Sequence, residues 1–201
     1  MPKAARRRAP RSSTDSASTY VLTITLRDID PPIWRRVRVR GDLTLDRLHH
    51  VIQAAMCWTN SHLHQFLVGQ ERYSDPGFEV EDTKDERRLR LIDISRASGA
   101  RFTYEYDFGD GWDHTIVIDD IQPPNKNADA PVCLDGARAC PPEDCGGPFG
   151  YVENFLAAIS DPRHPEHKEM LGWIGGAFDP ERFDLKAINQ ALARMGKRSK
   201  R

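Results

Sequence analysis

Apolar positions recur every second residue through the first two thirds of the chain and every third or fourth residue after about 150. Tyr20, Leu22, Ile24 and Leu26 alternate with Val21, Thr23, Thr25 and Arg27, the period of a strand. After the Asp30-Pro31-Pro32 turn signal, Ile33, Arg35, Val37 and Val39 alternate with Trp34, Arg36, Arg38 and Arg40. This predicts a hairpin whose second strand carries a basic stripe. Thr44 is placed to cap a helix with Leu45, Leu48, Ile52, Ala55 and Met56 on one face, ending near Cys57-Trp58, with Cys57 in the core. His62 to Gly69 alternates as a further strand with His62, His64 and Phe66 on one side. Tyr73 to Glu86 is acidic and turn-rich and predicts an exposed loop, and Leu89 to Ile94 a short strand or helix.

The clearest hairpin runs from Phe102 to Ile121. Phe102, Tyr104, Tyr106 and Phe108 alternate with polar residues up to Gly109-Asp110-Gly111, and His114, Ile116 and Ile118 alternate beyond it. Residues 122–148 hold too few apolar residues for an element. From Tyr151 the spacing becomes helical, through Val152, Phe155, Leu156 and Ile159 and later Leu185, Ile188, Leu192 and Met195. Strands first and helices last predict an α+β domain over 19–193. It has a mostly antiparallel sheet, helices on one side, and a helical C-terminal half.

Charge changes this picture. The 201 residues hold 29 Lys+Arg and 30 Asp+Glu, a formal net charge of −1. Ten of the basic residues but one of the acidic residues lie in 1–18 and 194–201, so 19–193 carries a net charge of −10. The expectation is an acidic domain between a disordered basic tail at 1–18 and a basic tail at 194–201. Arg6, Arg7, Arg8, Arg198 and Arg201 in the tails, with the stripe Arg36, Arg38 and Arg40, are the candidate contacts to nucleic acid or an acidic protein partner. No run of 18 apolar residues exists to cross a membrane, and the N-terminus lacks the apolar region of a secretory leader. Four Cys in such a chain point to reduced thiols or metal ligands in the cytoplasm.

Two stretches carry candidate chemistry. Cys133, Cys140 and Cys145 lie in a Gly/Pro-rich segment that apolar burial would not hold. Three thiolates with one imidazole, His114 for example, satisfy tetrahedral zinc, while a disulfide or unrelated thiols are the alternatives. His62 and His64, expected on one strand face, form a second ligand pair. The other stretch is Tyr106-Asp107-Phe108-Gly109-Asp110-Gly111-Trp112-Asp113-His114. Asp107, Asp110 and Asp113 at a strand corner, with Glu143 and Asp144 of the Cys segment, suit a divalent cation or acid–base work. An ordinary hairpin tip explains the Asp and Gly residues equally. No G-x-S-x-G, phosphate-binding Gly/Lys loop or dinucleotide Gly motif appears.

The combination of Tyr20–Trp34 with Pro-Pro-Ile-Trp-Arg-Arg, His62-Leu63-His64-Gln65-Phe66, Tyr104–His114, Cys140-Pro141-Pro142-Glu143-Asp144-Cys145-Gly146-Gly147 and Phe178–Asp184 resembles the plasmid pRiA4b ORF-3-like family over about 19–193. The resemblance implies a single α+β domain and an association with plasmids and insertion sequences. It implies no activity, the family being uncharacterised. Three readings stand: a non-enzymatic, zinc-stabilised binding or accessory module; a metal-dependent hydrolase built on the His/Asp cluster; and a structural or regulatory scaffold.

Overall fold

The computed structural model describes residues 18–124 and 130–198. Arg6, Arg7, Arg8 and Arg201, with residues 1–17 of the tail predicted at 1–18, lie outside the described residues. β1 (Thr19–Leu26) and β2 (Trp34–Arg40) form the expected hairpin, pairing Thr19 with Arg40 and Thr25 with Trp34. α1 (Leu45–Ala55) buries Leu45, Leu48, Val51, Ile52 and Ala55 at helical spacing. Thr44 occupies its N-cap position without a side-chain bond, and Leu45 N–H bonds instead to Leu89 O at 2.9 Å. Cys57 follows in the left-handed region (φ 57°) and is exposed, not in the core.

β3 (His64–Val68) and β4 (Glu71–Ser74) are followed by the parallel-paired β5 (Thr83–Asp85), so the 73–86 loop in fact supplies sheet edge. α2 (Leu91–Ile94) precedes the second hairpin, β6 (Arg101–Tyr106) and β7 (Trp112–Gln122). β8 (Val132–Ala137) arises where no element was expected. It is an edge strand held by backbone pairing to β2 and by the Asn189 amide. That amide accepts from Cys133 N–H (2.8 Å) and donates to Cys133 C=O (3.0 Å), in place of a further strand. The order is β5-β4-β3-β6-β7-β1-β2-β8, antiparallel except for β4 and β5.

The C-terminal third is helical: α3 (Gly147–Phe149), a π-helical turn Gly150–Leu156, α4 (Ala157–Ser160), α5 (His167–Trp173) and α6 (Leu185–Arg198). The last of these runs through Arg194 and Lys197 to Arg198, into the stretch expected to be a tail. The fold is α+β, with α6 packed on α1 and β8. On the central strands the covered face carries Leu22, Ile24, Val37, Tyr104, Ile116 and Ile118, all essentially solvent-free. The other face carries Thr23, Thr25, Arg36, Arg38, Thr103 and Thr115, each at least partly exposed. There Arg36 pairs with Asp119 at 3.2 Å, and Thr23 Oγ1 donates to the same carboxylate at 2.6 Å. Arg40 pairs with Asp42 at 2.7 Å. The predicted basic stripe is therefore partly neutralised by acids of the domain itself.

Arg35 lies on the covered face, as the alternation placed it, and is 2% exposed. Its five N–H donors all find acceptors. Nε donates to Ala55 O (3.1 Å), Nη1 to Trp34 O (2.8 Å) and Ala137 O (2.7 Å), and Nη2 to Arg138 O (2.8 Å) and Cys140 Sγ (2.9 Å). Phe183 covers the guanidinium, its ring centroid 5.0 Å away. Among the described residues no carboxylate lies within ion-pair distance. The charge is solvated by carbonyl dipoles of β2, α1 and the β8 end. Replacing it removes the side-chain donor from four carbonyls, those of Ala55 and Arg138 in buried contacts. Arg35→Met is expected to lower unfolding stability by roughly 3–5 kcal/mol in urea titration, and Arg35→Lys to recover only part of that. A near-neutral Arg35→Met would show that the carbonyls are otherwise satisfied.

His114 is fully buried in the same core. Its Nδ1–H donates to Trp112 O at 3.0 Å, and burial holds its pKa down to about 4. His49, held to about 2 by burial and then by neighbouring His64, behaves alike. Below the ordinary imidazole value of 6.5 the unfolded chain takes up protons that the folded chain refuses. Stability therefore falls as pH drops, by about 1.4 kcal/mol per pH unit for each residue, and neither contributes a slope above that value. The share from His114 is complete by about pH 4. His114→Leu is expected to flatten the acid side of a stability–pH curve by this one-residue slope. An unchanged slope would refute the assignment.

Candidate metal centre

Three connections meet at one end of β3, β6 and β7. They are residues 59–63 leading into β3, the turn 107–111 between β6 and β7, and 143–147 ahead of α3. A bend at His62 takes this residue off the strand, so β3 begins at His64. His62 and His64 consequently diverge. His62 turns toward the connections, while His64 is buried, its Nε2 2.9 Å from the buried carboxylate of Glu86. The His64 ring stacks on His49, with centroids 3.5 Å apart and planes at 5°.

Asp107 sits at φ 55°, in the left-handed region. Its Oδ1 accepts from Gly109 N–H (3.1 Å) and Asp110 N–H (3.3 Å), closing the turn in the way Asp side chains do. Its Oδ2 faces His62 Nδ1 at 3.5 Å. Asp144, also left-handed (φ 61°) and with its side chain 70% exposed, brings Oδ1 to 3.2 Å from His62 Nε2. Both contacts are at ion-pair distance without hydrogen-bond alignment. One ligand atom from each of His62, Asp107 and Asp144 lies within 4.8 Å of the other two. No other group of three or more His, Cys, Asp or Glu meets that condition among the described residues.

Glycines seat the third connection. A Cβ on Gly147 (φ 70°) would lie 2.0 Å from Asp110 O, and one on Gly150 would lie 2.2 Å from Cys145 O. The Gly147 contact, with Gly146 N–H donating to Asp110 Oδ2 at 3.1 Å, seats this segment on the β6–β7 turn and carries Asp144 to His62, while the Gly150 contact folds the segment on itself. Glu143 anchors the same segment by accepting from Thr59 N–H (2.9 Å), Thr59 Oγ1 (2.5 Å) and Tyr106 O–H (2.5 Å). Burial raises its pKa, but these donors outweigh burial and hold the carboxyl below its ordinary value. Burial, and then the bond to Glu143, push the Tyr106 hydroxyl up.

A cavity of about 410 Å³ opens beside the cluster, lined by Asn60, Ser61, His62, Leu63, Phe78, Asp107, Phe108 and Gly109. Asn60 is fixed from behind. Its Oδ1 is 2.6 Å from His49 Nε2, while Tyr104 O–H lies 2.7 Å from His49 Nδ1. An acceptor oxygen on Asn60 requires the proton on Nε2, so Nδ1 accepts from Tyr104.

The remaining candidates lie elsewhere. Cys133 is buried on β8, 3.4 Å from Asp135 O. Cys140 is held between Arg35 Nη2 and Met56 Sδ (3.4 Å), its thiol pushed up to about 12 by burial. Cys145 is likewise pushed up to about 12, by burial and then by Asp110. With His114 turned into the core, the structure does not gather Cys133, Cys140, Cys145 and His114 into one ligand set. Each thiol is held by a different part of the fold, and all four cysteines are free. Asp113 lies on the open sheet face, 3.8 Å from Arg27, its carboxyl raised by burial and then by Glu105. Asp110 supports the loop from the side. Of the cavity wall, the sequence did not single out Asn60, Ser61 and Phe78. The short turn at Pro76–Phe78 that supplies Phe78 fell inside an apparent loop.

The profile of the plasmid pRiA4b ORF-3-like protein family matches residues 18–187. An uncharacterized protein, y4hQ, of Sinorhizobium fredii is 41% identical over 184 residues, spanning 88% of this chain and 91% of its own. The crystal structure of a protein of unknown function, MM3350 from Methanosarcina mazei Go1, superposes with a TM-score of 0.76 at 34% identity. That match covers 84% of this chain and 96% of the other. Matching motifs, fold and length together, the chain belongs to the plasmid pRiA4b ORF-3-like family.

Proposed function

We propose that the protein is a metal-dependent small-molecule-binding module. In this reading His62, Asp107 and Asp144 hold one divalent ion at the mouth of the adjoining cavity. The observation that carries it is the convergence of one imidazole and two carboxylates from three separate connections, beside a cavity of ligand size. Asp107 and Asp144 face different ring nitrogens of His62, and the exposed Asp144 is free to swing so that all three meet one ion at bonds of about 2.0–2.2 Å. One His with carboxylate oxygens suits zinc or manganese. A set of three protein ligands leaves coordination positions open, as in catalytic sites, whereas structural zinc sites are closed by four.

That open side favours hydrolysis as a second reading. His62, Asp107 and Asp144 would hold the ion, and the ion would supply an activated water for hydrolysis of a carbonyl compound. A nucleic-acid partner draws less support. Its tail contacts at Arg6, Arg7, Arg8 and Arg201 lie outside the described residues, and Arg36 and Arg40 already face Asp119 and Asp42.

Calorimetric titration of zinc or manganese into EDTA-stripped protein is expected to show one equivalent bound. Asp107→Asn, which keeps the Oδ1 acceptor of the turn, and His62→Gln should each weaken binding by about tenfold or more. The double variant Cys133→Ser/Cys140→Ser should bind as wild type. Absence of uptake, or loss of it in the cysteine variant alone, would overturn the reading.

A further inference from the structure

The cavity beside His62 has a composition that selects a ligand, and this selection rests on the metal reading above. Its polar wall is Asn60, Ser61, His62 and Asp107; its apolar wall is Leu63, Phe78 and Phe108. Leu63 and Phe108 are 41% and 44% exposed, large apolar side chains left open to water at one spot. Phe78 is fixed from behind by an edge-on contact with the buried His64 ring, 5.4 Å between centroids. The wall is therefore a prebuilt flat surface on at least one side. No Lys or Arg lines the cavity.

The charge count weighs against one large ligand class. A divalent ion carries two positive charges, and Asp107 and Asp144 offset both, with His62 neutral when it ligates. Glu143, on the same connection as Asp144, is held ionised by Thr59 and Tyr106. Beyond the ion itself the lining supplies no cationic donor to a phosphate ester or a nucleic-acid backbone, which proteins ordinarily receive with Arg, Lys or a helix N-terminus. An uncharged oxygen donor, by contrast, binds the ion without bringing excess anionic charge among the carboxylates.

We propose that this site takes an uncharged small molecule in which a flat apolar group stands next to a metal-binding carbonyl-type oxygen. The oxygen meets the ion held by His62, Asp107 and Asp144. The flat group lies along Leu63, Phe78 and Phe108, and the Asn60 side chain supplies polar contacts at the edge. A volume of about 410 Å³ accommodates one ring with a short polar arm.

Two uncharged hydrazides test this. Benzohydrazide and acetohydrazide chelate through the same carbonyl oxygen and terminal nitrogen without losing a proton and differ in the ring, so their affinity ratio reads the cavity rather than the metal. Titrated into stoichiometrically zinc-loaded protein, benzohydrazide is expected to bind at least about tenfold more tightly, the ring's apolar area being removed from water. Inorganic pyrophosphate is expected to be the weakest of the three. Phe108→Ala should collapse the ratio toward one, and Phe108→Leu should restore part of it. If the wild type takes up no metal, this inference falls together with the metal reading. If metal binds but the two hydrazides bind equally, or pyrophosphate binds most tightly, the metal reading stands and the ligand class is wrong.

Discussion

The fold depends on a cation held in its core without an anion. Arg35 occupies an inward position of β2 where its neighbours Ile33 and Val37 are fully buried, and its five donors reach carbonyls of β2, the end of α1 and the β8 turn, plus the Cys140 sulfur. Carbonyls left unpaired where helix α1 ends and β8 stops would each carry a desolvation cost. One planar guanidinium satisfies several of them together, a task Lys could not perform with a point charge. Gly136 fits the same arrangement. A Cβ there would lie 2.6 Å from the Phe183 ring, which covers both the glycine and the guanidinium. Residues 138–145, including the cysteines, follow from where this clamp places the end of β8.

The cysteines therefore have a different meaning from the one their spacing suggested. A segment with few apolar residues does need something to hold it, and that reasoning was sound. The holding agent is Arg35, the Trp58 indole donating to Pro141 O at 2.9 Å, and the Glu143 bonds to Thr59 and Tyr106. Hydrogen bonds from distant parts of the chain replace the cross-link that a thiolate–zinc set would have supplied.

The hairpins, α1 and the α+β class were legible because alternation and helical spacing report burial directly. Arg35 was visible as a charge at an inward position, but its acceptors lie about twenty and one hundred residues away, beyond the reach of any local pattern. β8 was illegible because an edge strand draws its stability from backbone pairing and from Asn189, and neither leaves an apolar signature. His62, Asp107 and Asp144 were each recognisable as chemistry-bearing residues. Their association was not, because it depends on Gly147 allowing the third connection to touch the Asp110 backbone of the β6–β7 turn.

That association also shows how the domain manages its excess acid. Asp107 turns one oxygen to backbone N–H groups, Asp110 meets the Gly146 N–H, and Glu143 meets two hydroxyls and an N–H. Each carboxylate is stabilised by neutral donors before any cation is considered, which is how several like charges can share one end of a sheet. Asp144 is the exception. Among the described residues it meets only His62, and it stays mostly exposed. His62, at the bend ahead of β3, and Asp107, fixed through its other oxygen by the turn, thus face one mostly exposed carboxylate. The site's ability to close on an ion depends on Asp144 more than on Asp107, which the turn holds in place.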